Sequence, residues 1–235
     1  MLRILLVGYG RMGHMVGSLA GEYGAEVIGI VDPVSPAHAG EIGDDRWQAA
    51  DVAIDFTSPE AVMTNVPALA RRGINVILGT TGWQQHEAAL RAAVAEAGAG
   101  IVAAPNFSTG AVLFEAIVRQ AAGLLAARED FGAWMHEAHH AAKKDAPSGT
   151  ALMLKRAMEG AGYRRPIDVS STRAGHNPGV HTVGFDGPAE SITLSHTARD
   201  RTAFARGALV AARWIAGRKG WFTMHDVLGI SKVAQ

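Results

Sequence analysis

Between Glu137 and Thr150 the chain reads Glu137-Ala138-His139-His140-Ala141-Ala142-Lys143-Lys144-Asp145-Ala146-Pro147-Ser148-Gly149-Thr150, gathering two histidines, two lysines and two carboxylates in one short run. Histidine changes charge near neutral pH, so His139 is the residue expected to pass a proton during a reaction. Lys143, four residues on, offers a compact cation to a substrate carboxylate, and its charge favours the neutral form of nearby imidazoles. Ser148-Gly149-Thr150 opens a predicted helix, where free N–H groups and the positive dipole end favour a second carboxylate. The run therefore predicts a cationic, proton-transferring site for a small di-anion. It is expected to be a loop between a strand ending at His136 and a helix beginning at Ser148. The plainer alternatives are a solvated charged loop and simple N-capping by Ser148.

A second chemical signal lies at the other end of the chain. Gly8-Tyr9-Gly10-Arg11-Met12-Gly13 has the form G-x-G-x-x-G, and it follows a predicted strand and opens a predicted helix, the context in which such a turn holds a dinucleotide pyrophosphate. Asp32 follows 24 residues after Gly8, at the end of the second predicted strand, where a carboxylate can accept hydrogen bonds from an adenosine ribose. Pro33, Val34 and Ser35 come next with no adjacent arginine for a 2′-phosphate, which favours NADH over NADPH, with Arg11 and Arg46 as the arginines that could reach the site. Gly79-Thr80-Thr81-Gly82 and Ala104-Pro105-Asn106-Phe107 end two further predicted strands, and such loops line the ligand crevice of an open parallel sheet. Asp55-Phe56-Thr57-Ser58-Pro59 ends another, where Ser58 and Pro59 also read as a helix N-cap and first turn.

These groups need elements to hold them. Apolar, β-branched segments at residues 3–7, 26–31, 52–56, 75–78 and 101–104 alternate with helical patterns at 12–23, 59–72 and 84–97, which predicts a parallel α/β sheet. From about residue 106 the order changes to a long helix at 110–127, a strand at 131–136 and a helix at 148–161. Strand-like segments follow at 168–172, 181–185 and 191–196, then a helix at 204–215 and a short closing element at 224–228. The expected fold is α/β, with an N-terminal Rossmann-like dinucleotide-binding domain (1–106 plus 203–235) and a C-terminal α+β substrate-binding and oligomerisation domain (107–202) containing a mixed sheet.

Bulk properties narrow the partners. The 235 residues carry 22 Lys plus Arg against 22 Asp plus Glu, so no excess charge draws the chain to nucleic acid or an anionic membrane. With no cysteine, thiol nucleophiles and zinc thiolate sites are excluded. The apolar N-terminus reads as a first strand rather than a signal peptide, and no uninterrupted apolar run reaches the roughly 18 residues of a spanning helix, so a cytoplasmic location is expected.

Motif order then adds a family. E-x-H-H-x-x-K-x-D-A-P-S-G-T-A from Glu137 resembles the signature of the dihydrodipicolinate (4-hydroxy-tetrahydrodipicolinate) reductases. So do G-R-M-G at Gly10, D-F-T at Asp55, G-T-T-G at Gly79, N-F-S-x-G at Asn106, R-x-G-x-x-x-G-x-H from Arg173 to His181 and H-x-A-x-x-R-x-x-F-A-x-G-A from His196. The resemblance implies NAD(P)H-dependent reduction of 4-hydroxy-tetrahydrodipicolinate, with loss of water, in lysine and diaminopimelate synthesis. It implies His139 as proton donor and acceptor, Lys143 as a catalytic proton donor and carboxylate partner, and His140, Gly149 and Thr150 as substrate ligands. The cofactor positions it implies are Gly8, Tyr9, Gly10, Arg11 and Met12, Asp32, Gly79, Thr80 and Thr81, and Ala104, Pro105, Asn106 and Phe107. It also implies a homotetramer built through the C-terminal sheet; no metal is expected, because protein cations and helix dipoles can do the electrostatic work. Gly8-Tyr9-Gly10 is one residue shorter than the family's usual turn, and Arg206 stands where a small or amide residue is common. The alternatives are another Rossmann-type amino-acid dehydrogenase, acting on aspartate or diaminopimelate, and a non-catalytic dinucleotide sensor.

Overall fold

The computed structural model describes residues 1–230; the last five positions of the expected dinucleotide domain lie outside the described residues. The chain divides into two compact units. One comprises Met1–Thr109 with the described residues from Phe204 onward, and the other Gly110–Ala203.

The first unit is built on a parallel sheet of β1 (Leu2–Val7), β2 (Ala25–Val31), β3 (Val52–Asp55), β4 (Asn75–Leu78), β5 (Gly100–Ala103) and β10 (Gly220–Phe222), in the order β10-β5-β4-β3-β1-β2. β3 and β5 are buried along their whole length, as strands covered on both faces by helices should be. Helices α1 (Arg11–Leu19), α2 (Pro59–Arg71), α3 (Glu87–Ala97), α6 (Thr202–Trp214) and α7 (Met224–Val227) accompany the sheet. Ser58 accepts the Ala61 N–H and Pro59 fills the first turn of α2, a start written locally in the sequence.

Three details differ from the sequence expectation. The helix expected over 12–23 is α1 followed by a 3₁₀ turn at Ala20–Tyr23, and that expected over 84–97 begins with a 3₁₀ turn at Gln84–His86. The strand β10 was not foreseen: three residues carry no periodic signal, and it exists because Gly220–Phe222 pair with Gly100–Val102 at the sheet edge. Third, the strand expected to end at His136 continues three residues further.

That strand is β6 (Gly132–His139), in the second unit with α4 (Thr109–Leu125), α5 (Gly149–Gly160), β7 (Ile167–Arg173), β8 (Val180–Asp186) and β9 (Ser191–Thr197). The sheet order is β7-β6-β8-β9, parallel between β6 and β7 and antiparallel elsewhere, which gives the expected mixed sheet. One face packs on helices: Phe114, Val118 and Ala122 of α4 and Leu154 and Met158 of α5 share a core with Ala133, Met135, Val183 and Phe185. Because strand side chains alternate between faces, Glu137 and His139 follow Ala133 and Met135 onto this buried face. The sequence reading put them in a loop because their polarity masked the alternation.

Candidate active site

The register of the second sheet assembles the polar cluster. Glu137 on β6 lies opposite Ser171 on β7 and His181 on β8, His181 lies opposite His196 on β9, and His139 lies opposite Arg173. Residues paired across strands project to one side of the sheet, so four strands deliver these groups to the same end of the buried face. α5 then begins beside them. Ser148, its N-cap, accepts the Ala151 N–H, pairs through Oγ with His181 Nε2 at 2.9 Å, and donates its own N–H to Glu137 Oε1 at 3.3 Å.

Glu137 is fully buried. Arg173 donates to it in a two-pronged pair, Nη2 to Oε1 at 2.6 Å and Nη1 to Oε2 at 2.9 Å, and His139 Nδ1 lies 2.5 Å from Oε2. Burial alone would push the Glu137 carboxyl up, but the Arg173 guanidinium, with Ser171 and His139, outweighs it and holds the group down at about 2. His139 is pulled below the ordinary imidazole value by burial, opposed by the Glu137 carboxylate and aided by the charges of Lys143 and Arg173. His181, packed edge-on against the His139 ring at 5.1 Å, is pushed down to about 4 by burial and by His139. At neutral pH the cluster therefore holds one carboxylate, one guanidinium and two neutral imidazoles.

Glu137, His139 and His181 offer ligand atoms within 4.8 Å of one another, a grouping that could hold a metal ion and that the sequence reading did not foresee. Both Glu137 oxygens already serve the Arg173 fork, so a dication there would have a guanidinium cation as its immediate neighbour. The donors are arranged as an acid–base cluster.

Lys143 and the α5 start stand on the loop after β6. Asp145 grips the Lys143 ammonium with both oxygens, at 2.7 and 3.0 Å, and also takes the Gly149 N–H. Gly149 has open space where a Cβ would project, and His140 is exposed while Thr150 is half-buried. A carboxylate of the chain itself thus engages both Lys143 and the helix start, the two places expected to take the two carboxylates of the substrate.

In the first unit the loops that follow β1, β2, β3, β4 and β5 all leave the carboxyl edge of the sheet, and the strand order reverses between β1 and β3, which is where such sheets bind ligands. The residues fit a dinucleotide. Gly8 has φ +86°, and a Cβ there would fall 2.3 Å from the Phe56 carbonyl oxygen; at Gly13 it would fall 2.3 Å from the Gly8 carbonyl oxygen. Gly10, by contrast, faces open space, and the first turn of α1 has no side-chain cap, so its N–H groups are available to an anion. Arg11 is exposed there and Met12 half-buried. Asp32 accepts the Tyr9 N–H at 2.7 Å and the Val34 N–H at 3.0 Å, the Tyr9 bond being the leading cause that holds its carboxyl below the usual range.

Other expected cofactor residues have internal work. Thr80 is buried; its Oγ1 donates to Asp55 and accepts the Thr57 N–H. Gly79 is required by the Phe56 ring, which a Cβ would strike at 2.1 Å. Phe107 is buried edge-on to Phe56, Ala104 is buried, and the Asn106 side chain accepts the Ser108 N–H. Thr81 and Pro105 are exposed. Arg46 is folded back onto Asp44, and Arg206 pairs with Glu22 on the surface, which accounts for that arginine by local pairing.

Sequence reasoning assigned no role to Arg173, His181 or Asp55. Arg173 and His181 lie in a motif quoted from the sequence, and their alternation with Ser171 and Val183 on the strands was the signal that could have placed them beside Glu137.

Comparison with known proteins agrees with this architecture. Residues 2–107 match the family model of the dihydrodipicolinate reductase N-terminus, and residues 110–228 that of its C-terminus. A 4-hydroxy-tetrahydrodipicolinate reductase of Methanoregula boonei is 37% identical, with 99% of this chain and 100% of that protein aligned. One of Methanosarcina barkeri is 41% identical over 77% of this chain and 74% of its own length. Among solved structures, a dipicolinate-bound dihydrodipicolinate reductase from Paenisporosarcina sp. TG-14 is similar in fold, with a TM-score of 0.81 at 20% identity, covering 95% of this chain and 97% of the other. With both halves matched in sequence and arranged in the same fold, the chain belongs to the dihydrodipicolinate reductase family.

Proposed function

We propose that this enzyme reduces 4-hydroxy-tetrahydrodipicolinate to tetrahydrodipicolinate: substrate, NAD(P)H and a proton give product, NAD(P)⁺ and water, a step of lysine and diaminopimelate synthesis. The observation that carries the reading is a buried His139, tied through Nδ1 to a carboxylate, on the same strand-and-loop unit as Lys143 and the Ser148-capped start of α5. His139 exchanges the proton. Lys143 draws one substrate carboxylate and supplies a second proton source, and His140, Gly149 and Thr150 take the remaining contacts, so that the ring is fixed in orientation before it reacts.

The dinucleotide belongs to the first unit, on Gly8–Met12, Asp32, Gly79–Thr81 and Ala104–Phe107, and the substrate to the second. Reduced nicotinamide supplies the hydride when bound. NADH is the preferred form in this reading, because the Asp32 carboxylate is held ionised where a 2′-phosphate would add like charge. A homotetramer formed through the second sheet is supported by its helix-free face, where Trp134, 37% exposed, lies across Gly184. A cytoplasmic location belongs to the same reading; no helix of the described residues is long and apolar enough to cross a membrane.

Fresh dihydrodipicolinate synthase product, supplied with NADH or NADPH and followed at the nicotinamide absorbance, tests the assignment. Consumption is expected with both nucleotides and more efficiently with NADH. His139→Gln and Lys143→Ala should each lower kcat by about 10²–10⁴-fold while nucleotide binding survives. No turnover by folded protein overturns the reductase reading, and equal efficiency with NADPH overturns the Asp32 argument.

A further inference from the structure

His139 has two ring nitrogens, and a proton-transferring histidine works only if the right one faces the substrate. Its Nδ1 is 2.5 Å from Glu137 Oε2. Its Nε2 has no hydrogen-bond partner among the described residues and looks past Gly179, where an added Cβ would fall 3.2 Å away. Which nitrogen carries the proton in the neutral ring depends on the state of Glu137. A buried carboxyl without a counter-charge takes up a proton, and could then donate to Nδ1 and leave the hydrogen on Nε2. An ionised carboxylate can only accept, which forces the hydrogen onto Nδ1.

Arg173 decides between these cases. Its guanidinium meets both Glu137 oxygens, and the same side chain is tethered to the loop by donation to the Asp145 carbonyl at 2.6 Å. The fork is planar and permanently charged, so it fixes both the ionisation and the plane of the carboxylate. Ser148, donating its N–H to Oε1, completes the hold from α5.

We propose that Arg173 and Glu137 form a positioning unit for the reaction, in which the guanidinium fixes the carboxylate and the carboxylate holds His139 with Nδ1–H inward and Nε2 free to exchange a proton with substrate. The inference rests on His139 being the proton-transfer group of the proposed reductase. The charged and titratable groups that face this ring are Glu137 on its own strand, Arg173 from β7, His181 from β8 and Lys143 from the following loop; His196 of β9 acts on His181. Of these, Glu137 alone raises the proton affinity of His139.

Two measurements test it. In ¹⁵N-labelled wild-type protein, with His139 assigned by comparison with His139→Gln, the neutral ring is expected as the Nδ1–H tautomer. Glu137→Gln, which keeps the side-chain shape without the charge, should lower kcat by about 10²–10⁴-fold with the substrate KM changed less than about threefold. It should also move the alkaline limb of kcat to lower pH, because His139 then loses its proton earlier. Arg173→Lys should retain more turnover than Arg173→Met. An Nε2–H tautomer in the wild type, or a folded Glu137→Gln enzyme with the wild-type kcat and alkaline limb, overturns the proposal; if Glu137→Gln does not fold, the wild-type tautomer decides. A wild type that shows the Nδ1–H ring but does not turn over substrate refutes the reductase reading and leaves the positioning geometry standing.

Discussion

His181 should make the protein acid-labile in a defined window. The residue is buried, and burial together with His139 pushes its pKa from 6.5 to about 4 in the folded chain. The unfolded chain binds the proton first as pH falls, so this histidine's contribution to stability is fully present above about pH 6.5 and is lost progressively down to about pH 4. A fall from 6.5 to about 4, at about 1.4 kcal/mol per pH unit, gives about 3.5 kcal/mol in all, of which about 3 kcal/mol is lost by pH 4. His181→Gln removes the titration while leaving an amide that can meet Ser148 Oγ. Urea unfolding of both proteins at intervals between pH 7.5 and 4 should show the wild type losing about 3 kcal/mol more than the variant. The ring-proton titration of His181, followed by NMR, gives the same quantity without unfolding. A midpoint near 6.5, or identical pH dependence of the two proteins, would refute the reasoning.

Two further outcomes follow from the carboxylates. Asp55 is fully buried; burial pushes its pKa up, against the hydrogen bonds it accepts from Thr57, Asn65 and Thr80. Asp55→Asn would turn an NH₂ toward one of those donors and should cost about 1–3 kcal/mol, read as a fall in Tm; the exchange variant carrying Asn65→Asp as well should recover most of it, and an unchanged Tm for the single variant removes the argument. Asp145 holds Lys143 and the Gly149 N–H, the groups proposed above to meet substrate carboxylates. Asp145→Asn should therefore tighten binding of pyridine-2,6-dicarboxylate about two- to fivefold, the scale of an exposed ion pair, by calorimetry; weaker binding would show that Asp145 shapes the loop instead of competing in it.

The elements that were legible in the sequence are those set by neighbours along the chain. Ser58 and Pro59 announce α2, the glycines from Gly8 to Gly13 announce the β1–α1 turn, and the apolar runs of β3, β4 and β5 announce a sheet buried on both faces. Contacts made across strands were not legible. Glu137, Arg173 and His181 are 36 and 44 positions apart along the chain, and only the pairing of β6 with β7 and β8 makes them one cluster. The same holds for Thr80, whose side chain turns inward to Asp55, 25 residues earlier. Local chemistry marks it as a candidate ligand contact, and the structure adds a hydroxyl that joins two strand ends.

The placement of His139 on a central strand has a consequence for how the enzyme can vary. A loop residue can drift by fractions of an ångström as its surroundings change, whereas β6 is stitched to β7 on one side and β8 on the other. Its side chains can only be displaced in whole steps, and a step of one residue turns His139 out of the cluster and brings Ala138 in. Gradual adjustment is therefore left to the loop that carries Lys143 and Asp145; under the roles proposed above, substrate preference can be tuned there while His139 stays either fully in place or fully out of it.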